Sequence, residues 1–379
     1  MPLTDNIERQ LIAQGLQLFN FDPCYHEFNR RFQCPGLGFN FTNYDHFLIA
    51  VYNPSLEDQY VINIQLPEST LLIESWYPGL KAYQEEAAEA FCYLSPEFYS
   101  THKDECEVFI YRRVPAMSTV LLRVSKDLAR DIAVNGTSAS VMSLSNQDIT
   151  LHLIHDAYSL ENGLLNLTIN NTKEGTERRV SIDFRYYNAY NRTRDDIDHN
   201  EGFYVFKTSD NQSVPWDHSV SSIIAYKGQF VQMFVVKFKS NMSNYENSFL
   251  QVRFPGPVLS NWHVPLDEIE FQVYFEGLEK YNPGLDVTMN WHCWDLEASD
   301  NLFYTDANAL EFMRRKADNY PARYNQTTTQ RASSNFYPIT TGIIIEDTNL
   351  HEQMVIMNDR SAGASAYNNG TVEIMISRR

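Results

Sequence analysis

Carboxylates, imidazoles and hydroxyls carry most protein chemistry, and this sequence has many of the first but few in a usable arrangement. Among its 48 Asp and Glu residues, spacing singles out no pair for glycosidic bond cleavage. That reaction sets two carboxyls roughly 5 Å apart, one as nucleophile and one as acid and base. His152, His155 and Asp156 are metal-ligand residue types, yet positions three apart on a strand face opposite ways, so the imidazoles do not converge. Asp195-Asp196-Ile197-Asp198-His199-Asn200-Glu201 is an acidic loop without the regular oxygen spacing and central Gly of a calcium loop; it reads as a solvated hairpin tip. No G-x-S-x-G elbow and no phosphate-cradling Gly loop occurs. Aromatic rings offer a different chemistry, because pyranose C–H faces stack on Trp and Tyr. Trp262 and the cluster Trp291-His292-Cys293-Trp294 are the candidates, against the commoner placement of such rings in a sandwich core.

The densest run of informative residues is Phe303-Tyr304-Thr305-Asp306-Ala307-Asn308, followed by Arg314-Arg315, Tyr320-Pro321 and Asn335-Phe336-Tyr337-Pro338. It fits neither a helical stripe nor strict alternation, and reads as loops and strands with fixed side-chain roles. The elements that must position it are strands. Residues 47–52 run into the Asn53-Pro54 turn, 60–66 alternate up to Pro67, and 108–111 and 120–124 complete a small antiparallel unit. A charged and polar stretch at 125–131 reads as a linker. Strands are then expected at 149–154, 163–170, 180–187, 203–207, 229–239, 249–254, 268–275, 342–345 and 354–357. Two helical stretches break the pattern: 7–19, apolar at 7, 11, 12, 16 and 19, and 307–316. The first must pack on something, either the β-structure that follows or a helical bundle that precedes it. Without βαβ alternation the class is all-β sandwich.

Bulk properties bound the rest. A chain of 379 residues holds two or three domains, and 43% hydrophobic with 13% aromatic content is that of a globular protein. A formal charge of −18 speaks against nucleic acid as partner, and no apolar run reaches the roughly 18 residues of a membrane span. Five cysteines include no C-x-x-C pair; Cys24 with Cys34, and Cys92 with Cys106, are each close enough in sequence to pair, leaving Cys293 over. Nine N-x-S/T sequons, at Asn40, Asn135, Asn166, Asn170, Asn191, Asn211, Asn241, Asn325 and Asn369, are about twice the chance number and point to a secretory-pathway lumen. The first residues, Met1-Pro2-Leu3-Thr4-Asp5-Asn6, are not a signal peptide.

These motifs resemble the C-terminal half of family 38 glycoside hydrolases, the class II α-mannosidases of lysosome and Golgi. That family writes the 303–338 region as F-x-T-D-S-N, R-R, Y-R-P, a sequon and N-Y-Y-P. Tyr52-Asn53-Pro54 resembles its V-x-N-P, and Gly202-Phe203-Tyr204-Val205-Phe206 its G-A-Y-x-F. Asn358-Asp359-Arg360-Ser361-Ala362-Gly363-Ala364-Ser365 resembles T-D-R-S-Q-G-G-S, and Glu373 to Arg379 resembles E-I-M-x-x-R-R. The resemblance implies a mainly all-β fold: a helical remnant of a bundle at 1–36, a small β-sandwich at 37–128, and a galactose-mutarotase-like β-supersandwich at 129–379. It implies substrate contacts at Tyr204, at Arg378 or Arg379, and less directly at Arg360. The family's nucleophile, acid/base and two-His, two-Asp zinc site have no counterpart here, since no His-His pair occurs. The expectation is therefore the later part of a retaining α-mannosidase. It would be inactive alone, partnered by a missing N-terminal catalytic domain, dependent on Zn²⁺ when intact, and directed at mannose-containing glycans in the lysosome or secretory lumen. The alternative is a non-catalytic carbohydrate-binding or partner-binding β-sandwich protein.

Overall fold

A computed structural model describes residues 25–26, 32–33, 46–66, 69–77, 80–92, 106–139, 149–153, 165–171, 176–188, 206, 208, 212–216, 218–240, 249–256, 269–274, 285–297, 301–306, 308–319 and 331–377. The described chain is nearly all strand, with one short helix, Arg331–Asn335. Its pairing is antiparallel except between Ile149–Leu153 and Leu165–Asn171, which run parallel, and one isolated bridge. The all-β class expected from the sequence is what the chain adopts. The expected helix at 7–19, the pair Cys24 and Cys34, Trp262, and the loop 195–201 lie outside the described residues.

The chain forms two compact units, each assembled from separated segments. The first takes residues 1–140, 221–238 and 246–275. In it His46–Tyr52, Thr119–Lys126, Leu71–Tyr77 and Ala82–Glu85 form one sheet, and Gln59–Leu66, Cys106–Val114 and Ala87–Cys92 another. Alternation explains the packing: Leu71, Ile73 and Ser75 point inward with Val120, Leu122 and Val124, meeting Ile62, Val108 and Ile110 of the facing sheet. Cys92 and Cys106 are cross-strand partners and form a disulfide. The opposite face of the three-stranded sheet presents Phe91, Phe109 and Tyr111, which pack with Tyr226, Phe230, Met233 and Phe249 of a five-stranded sheet. Buried Glu89 accepts hydrogen bonds from the backbone N–H groups of Gln229 and Phe230, so the carboxylate holds the hairpin at its Gly228 turn, where a Cβ would collide with it.

The second unit is built on one large sheet, in the order Ile149–Leu153, Leu165–Asn171, Thr176–Asn188, Leu285–Cys293, Thr371–Ser377, Ala362–Ser365, Tyr337–Ile339. A four-stranded sheet accompanies it: Met313–Lys316, Leu302–Thr305, Gly342–Asp347 and Glu352–Met357. The helix expected over 307–316 is not formed at its described positions. Ala309 has φ 56°, the side chain of Asn308 accepts from the N–H of Leu310 at 3.1 Å, and 313–316 pair with Leu302–Thr305. Tertiary pairing of a hairpin outcompetes a weak local helical pattern there. The polar stretch 125–131 is likewise no free linker at its start: Ser125 and Lys126 close a strand paired on both sides.

Candidate functional site

Strand alternation in the large sheet produces an unusual arrangement. Asp183, Asn290, Glu373 and Ser365 are cross-strand partners in one row, flanked by the rows Ser181, His292, Thr371 and Arg185, Thr288, Met375. The interleaved rows, Phe184, Met289, Ile374, Ala364 and Ile182, Trp291, Val372, face the other way. A one-sided antiparallel sheet normally turns such a polar face to water. Here Ser181, Asp286, Thr288, Asn290, Glu373 and Ser365 are buried like the apolar face. Buried polar groups persist only where hydrogen bonds answer them, so this face marks a built polar interior.

Glu373 lies at its centre. Its carboxylate accepts from Thr288 Oγ1 at 2.7 Å and from Tyr187 Oη at 2.9 Å. Tyr187, fully buried, also meets the hydroxyl of Tyr367 at 3.1 Å. Burial pushes the Glu373 carboxyl above the usual range, and hydrogen bonds from Thr288, Tyr187 and Ser213, with the charge of Arg185, offset this only in part. Burial, with Glu373 and Tyr367 alongside, drives the Tyr187 phenol far up. Arg185 donates to Ser213 Oγ at 2.8 Å and to the Ser213 carbonyl at 2.7 Å, and reaches Asp183 at 3.2 Å. On either side of Glu373, Asn290 Oδ1 and Ser365 Oγ are buried without a hydrogen-bond partner among the described residues. Atoms so placed are ordinarily met by an ordered water or a hydroxyl.

An aromatic trio borders the cluster. Tyr187, Phe206 and Phe336 contact edge to face, at 5.3 Å for Tyr187 with Phe206, 5.9 Å for Tyr187 with Phe336 and 4.8 Å for Phe206 with Phe336. Through it the segment of Phe206 is tied to the strand of Glu373, by way of Tyr187.

The motif residues of 303–338 serve architecture. Phe303 is fully buried and meets Tyr337 edge to face. Arg315 stacks on Tyr337 at 4.5 Å and donates to Thr305 Oγ1 at 3.1 Å, whereas Arg314 is exposed. Asp306 accepts from the N–H groups of Thr340, Thr341 and Gly342 at 2.8–3.1 Å and from the Thr341 hydroxyl. Burial raises its pKa, and these hydrogen bonds together outweigh that and hold the carboxyl below the ordinary value. Asn335 exchanges hydrogen bonds with Asp318, one from the Asp318 N–H and one to its carboxylate, each 2.9 Å. Arg331 pairs with the same carboxylate and lies over the Tyr367 ring.

Tyr204, Arg378 and Arg379 lie outside the described residues, as do Asn40, Asn191, Asn211, Asn241 and Asn325. Arg360 is exposed, with its guanidinium on the neighbouring Asp359, which raises its pKa. Asn135 and Asn369 sit at exposed positions, while Asn166 and Asn170 lie within Leu165–Asn171, paired on both edges over most of its length. Of the Trp cluster, Trp291 is core and Trp294 is exposed. Among the described residues no group of three or more His, Cys, Asp or Glu is placed to hold a metal ion, so a zinc site does not fit the residues described. No described helix is long and apolar enough to cross a membrane.

Residues 154–379 match the family model for the C-terminal domain of glycosyl hydrolases family 38. This chain belongs to glycoside hydrolase family 38. Similar proteins include a lysosomal alpha-mannosidase of Dictyostelium discoideum, 24% identical over 233 residues, 60% of this chain and 21% of that protein. A probable alpha-mannosidase of Arabidopsis thaliana is 26% identical over 226 residues, 59% of this chain and 20% of its own length. The human lysosomal alpha-mannosidase is 40% identical over 77 residues, 20% of this chain and 7% of that protein. The match thus spans about a fifth of the curated relatives at most. The buried face on Glu373 falls inside the family 38 region, and reading motifs alone missed most of it. Its signal was the alternation of Asp286, Thr288 and Asn290 with Val287, Met289 and Trp291.

Proposed function

We propose that this chain is the β-structured part of an α-mannosidase that removes terminal α-linked mannose from glycans in the lysosomal or secretory lumen. The observation that carries the reading is the family 38 match over 154–379, joined to relatives named as lysosomal alpha-mannosidases. In such an enzyme this chain's task is to bind and orient. Tyr204, Arg378 or Arg379, and Arg360, which sit in the motif positions, would contact the sugar. The Tyr187, Phe206, Phe336 and Glu373 cluster would position two of them. Phe206 lies two residues beyond Tyr204, and Glu373 five before Arg378 on the strand leading to it. The nucleophile, the acid/base and the zinc that steers the sugar hydroxyls would come from a partner catalytic domain. Uniform binding contributions of this kind raise affinity, while only those strengthened in the transition state raise turnover.

The test is direct. The pure 379-residue chain, supplied with Zn²⁺ and a chromogenic α-mannoside, is expected to show no turnover, and turnover by it alone overturns the reading. The native protein in its source cells is expected to run well above 44.0 kDa. A 44 kDa native species that binds mannose without hydrolysing it would support the carbohydrate-binding alternative instead.

A further inference from the structure

One exposed indole has an unusual setting. Trp294 is 55% exposed, the highest exposure of any aromatic ring among the described exposed hydrophobics, and it stands at the turn that ends the Leu285–Cys293 strand. Its ring meets the His292 imidazole edge-on at 4.3 Å. That imidazole also meets a second turn. Thr371 Oγ1 is 2.8 Å from His292 Nδ1, and a Cβ on Gly370 would lie 3.5 Å from His292 Cε1. The two turns are pressed together: the Cys293 N–H donates to the Gly370 carbonyl at 2.9 Å. Gly370 has φ 65°, and a Cβ there would fall 2.7–2.8 Å from the Leu296 and Cys293 carbonyls, so only glycine fits.

Those residues of the second turn, Asn369-Gly370-Thr371, are also a glycosylation sequon, with Asn369 exposed. We infer that Asn369 carries an N-linked glycan whose first sugars lie across the Trp294 indole. Three features converge on it. The acceptor is at an exposed reverse turn, closed by the Thr371 N–H to the Asn368 carbonyl at 3.1 Å. The obligatory Gly370 is the small middle residue of the sequon. An exposed Trp, costly to leave in water, stands against the same imidazole as the sequon and offers the flat apolar face that a pyranose ring covers. Of the described sequons, Asn135 shares the exposure and no described Trp is tied to its turn by such contacts.

The inference rests on the lumenal setting proposed above, and the two can fail separately. The full 379-residue chain is secreted from a eukaryotic host behind an added signal peptide, and peptides are mapped after enzymatic glycan release in heavy-oxygen water. Label at Asn369 is expected, and N369Q should lose one glycan-sized step on a gel. Acrylamide quenching of Trp fluorescence should increase on glycan removal, and W294F should abolish that increase. Occupancy at Asn135 with none at Asn369, or unchanged quenching after release, overturns the inference. Glycan-free native protein from source cells, with Asn369 occupied in the secreted chain, would instead count against the lumenal setting alone.

Discussion

At the residue scale, Glu373 is the group whose chemistry is most altered by the fold. Ionised in water it costs little, but inside the sheet burial penalises its charge, and two hydroxyl donors at hydrogen-bond distance, Ser213 and the field of Arg185 offset that only in part. The folded carboxyl therefore binds its proton more tightly than the unfolded one. By linkage, the native state holds more protons in the window between the ordinary Glu pKa and the raised one, so stability falls as pH rises through that window and is retained below it. Glu373→Gln keeps the size and an acceptor and stays neutral at every pH. The Tm of wild type minus that of the variant should therefore be more favourable to wild type at pH 5 than at pH 7.5. In a unit of this size each kcal/mol moves Tm by ~2–4 °C. A difference independent of pH across that range would mean Glu373 does not titrate as its burial requires. An acid-adapted Glu also suits the proposed compartment.

At the element scale, the motif dense in aromatic, Asn and Arg residues joins strands. Asp306 ends the Leu302–Thr305 strand and gathers three consecutive N–H groups at the start of Gly342–Asp347. Asp306→Ala takes the carboxylate from the Thr341 and Gly342 N–H groups, while the Thr340 N–H keeps the Asp306 backbone carbonyl, and should cost roughly 2–4 kcal/mol in urea unfolding, since each hydrogen bond to a charged group contributes about 1.5–3 kcal/mol but turn N–H groups regain water. Its lowered pKa makes that contribution present above the ordinary Asp range and lost as pH falls through the lowered value, so the two proteins should converge in strong acid. An unchanged urea midpoint at pH 7 would remove Asp306 from the architecture. What the sequence revealed follows the same division. A strand such as 60–66, apolar on a clear period, is legible, because a half-buried strand announces itself by alternation. Leu285–Cys293 alternates as cleanly, yet its polar face is buried by the rest of the unit, and no local rule reports that. The 307–316 stretch misled because hairpin pairing with Leu302–Thr305 is a contact between strands, invisible to a helical period.

At the scale of the whole molecule, sequence order and compactness disagree. The first unit draws most of its third sheet from residues after 220, with Gly136–Ala139 as one edge strand, although 141–220 belong to the other unit. Phe91, Phe109 and Tyr111 in the early segment are covered by Tyr226, Phe230, Val231, Met233 and Phe249 from the later ones, with Phe91 and Tyr226 edge to face at 5.7 Å and Tyr111 stacked on Phe230 at 5.6 Å. A polypeptide ending at residue 140 keeps the first sandwich, its Cys92–Cys106 disulfide and the cluster on Leu122 and Val108. It loses the cover over three large rings, each burying ~150–250 Å² in a folded protein, and the backbone partner of Glu89 at Gln229 and Phe230. An apolar patch of that size drives association. Residues 1–140 should therefore bind a hydrophobic dye and sediment as oligomers, whereas the full chain, whose five-stranded sheet covers those rings, should bind markedly less. A monomeric, dye-silent 1–140 fragment would show that the early sandwich stands alone. The chain's path between units would then be an accident of linkage rather than a requirement of the first core.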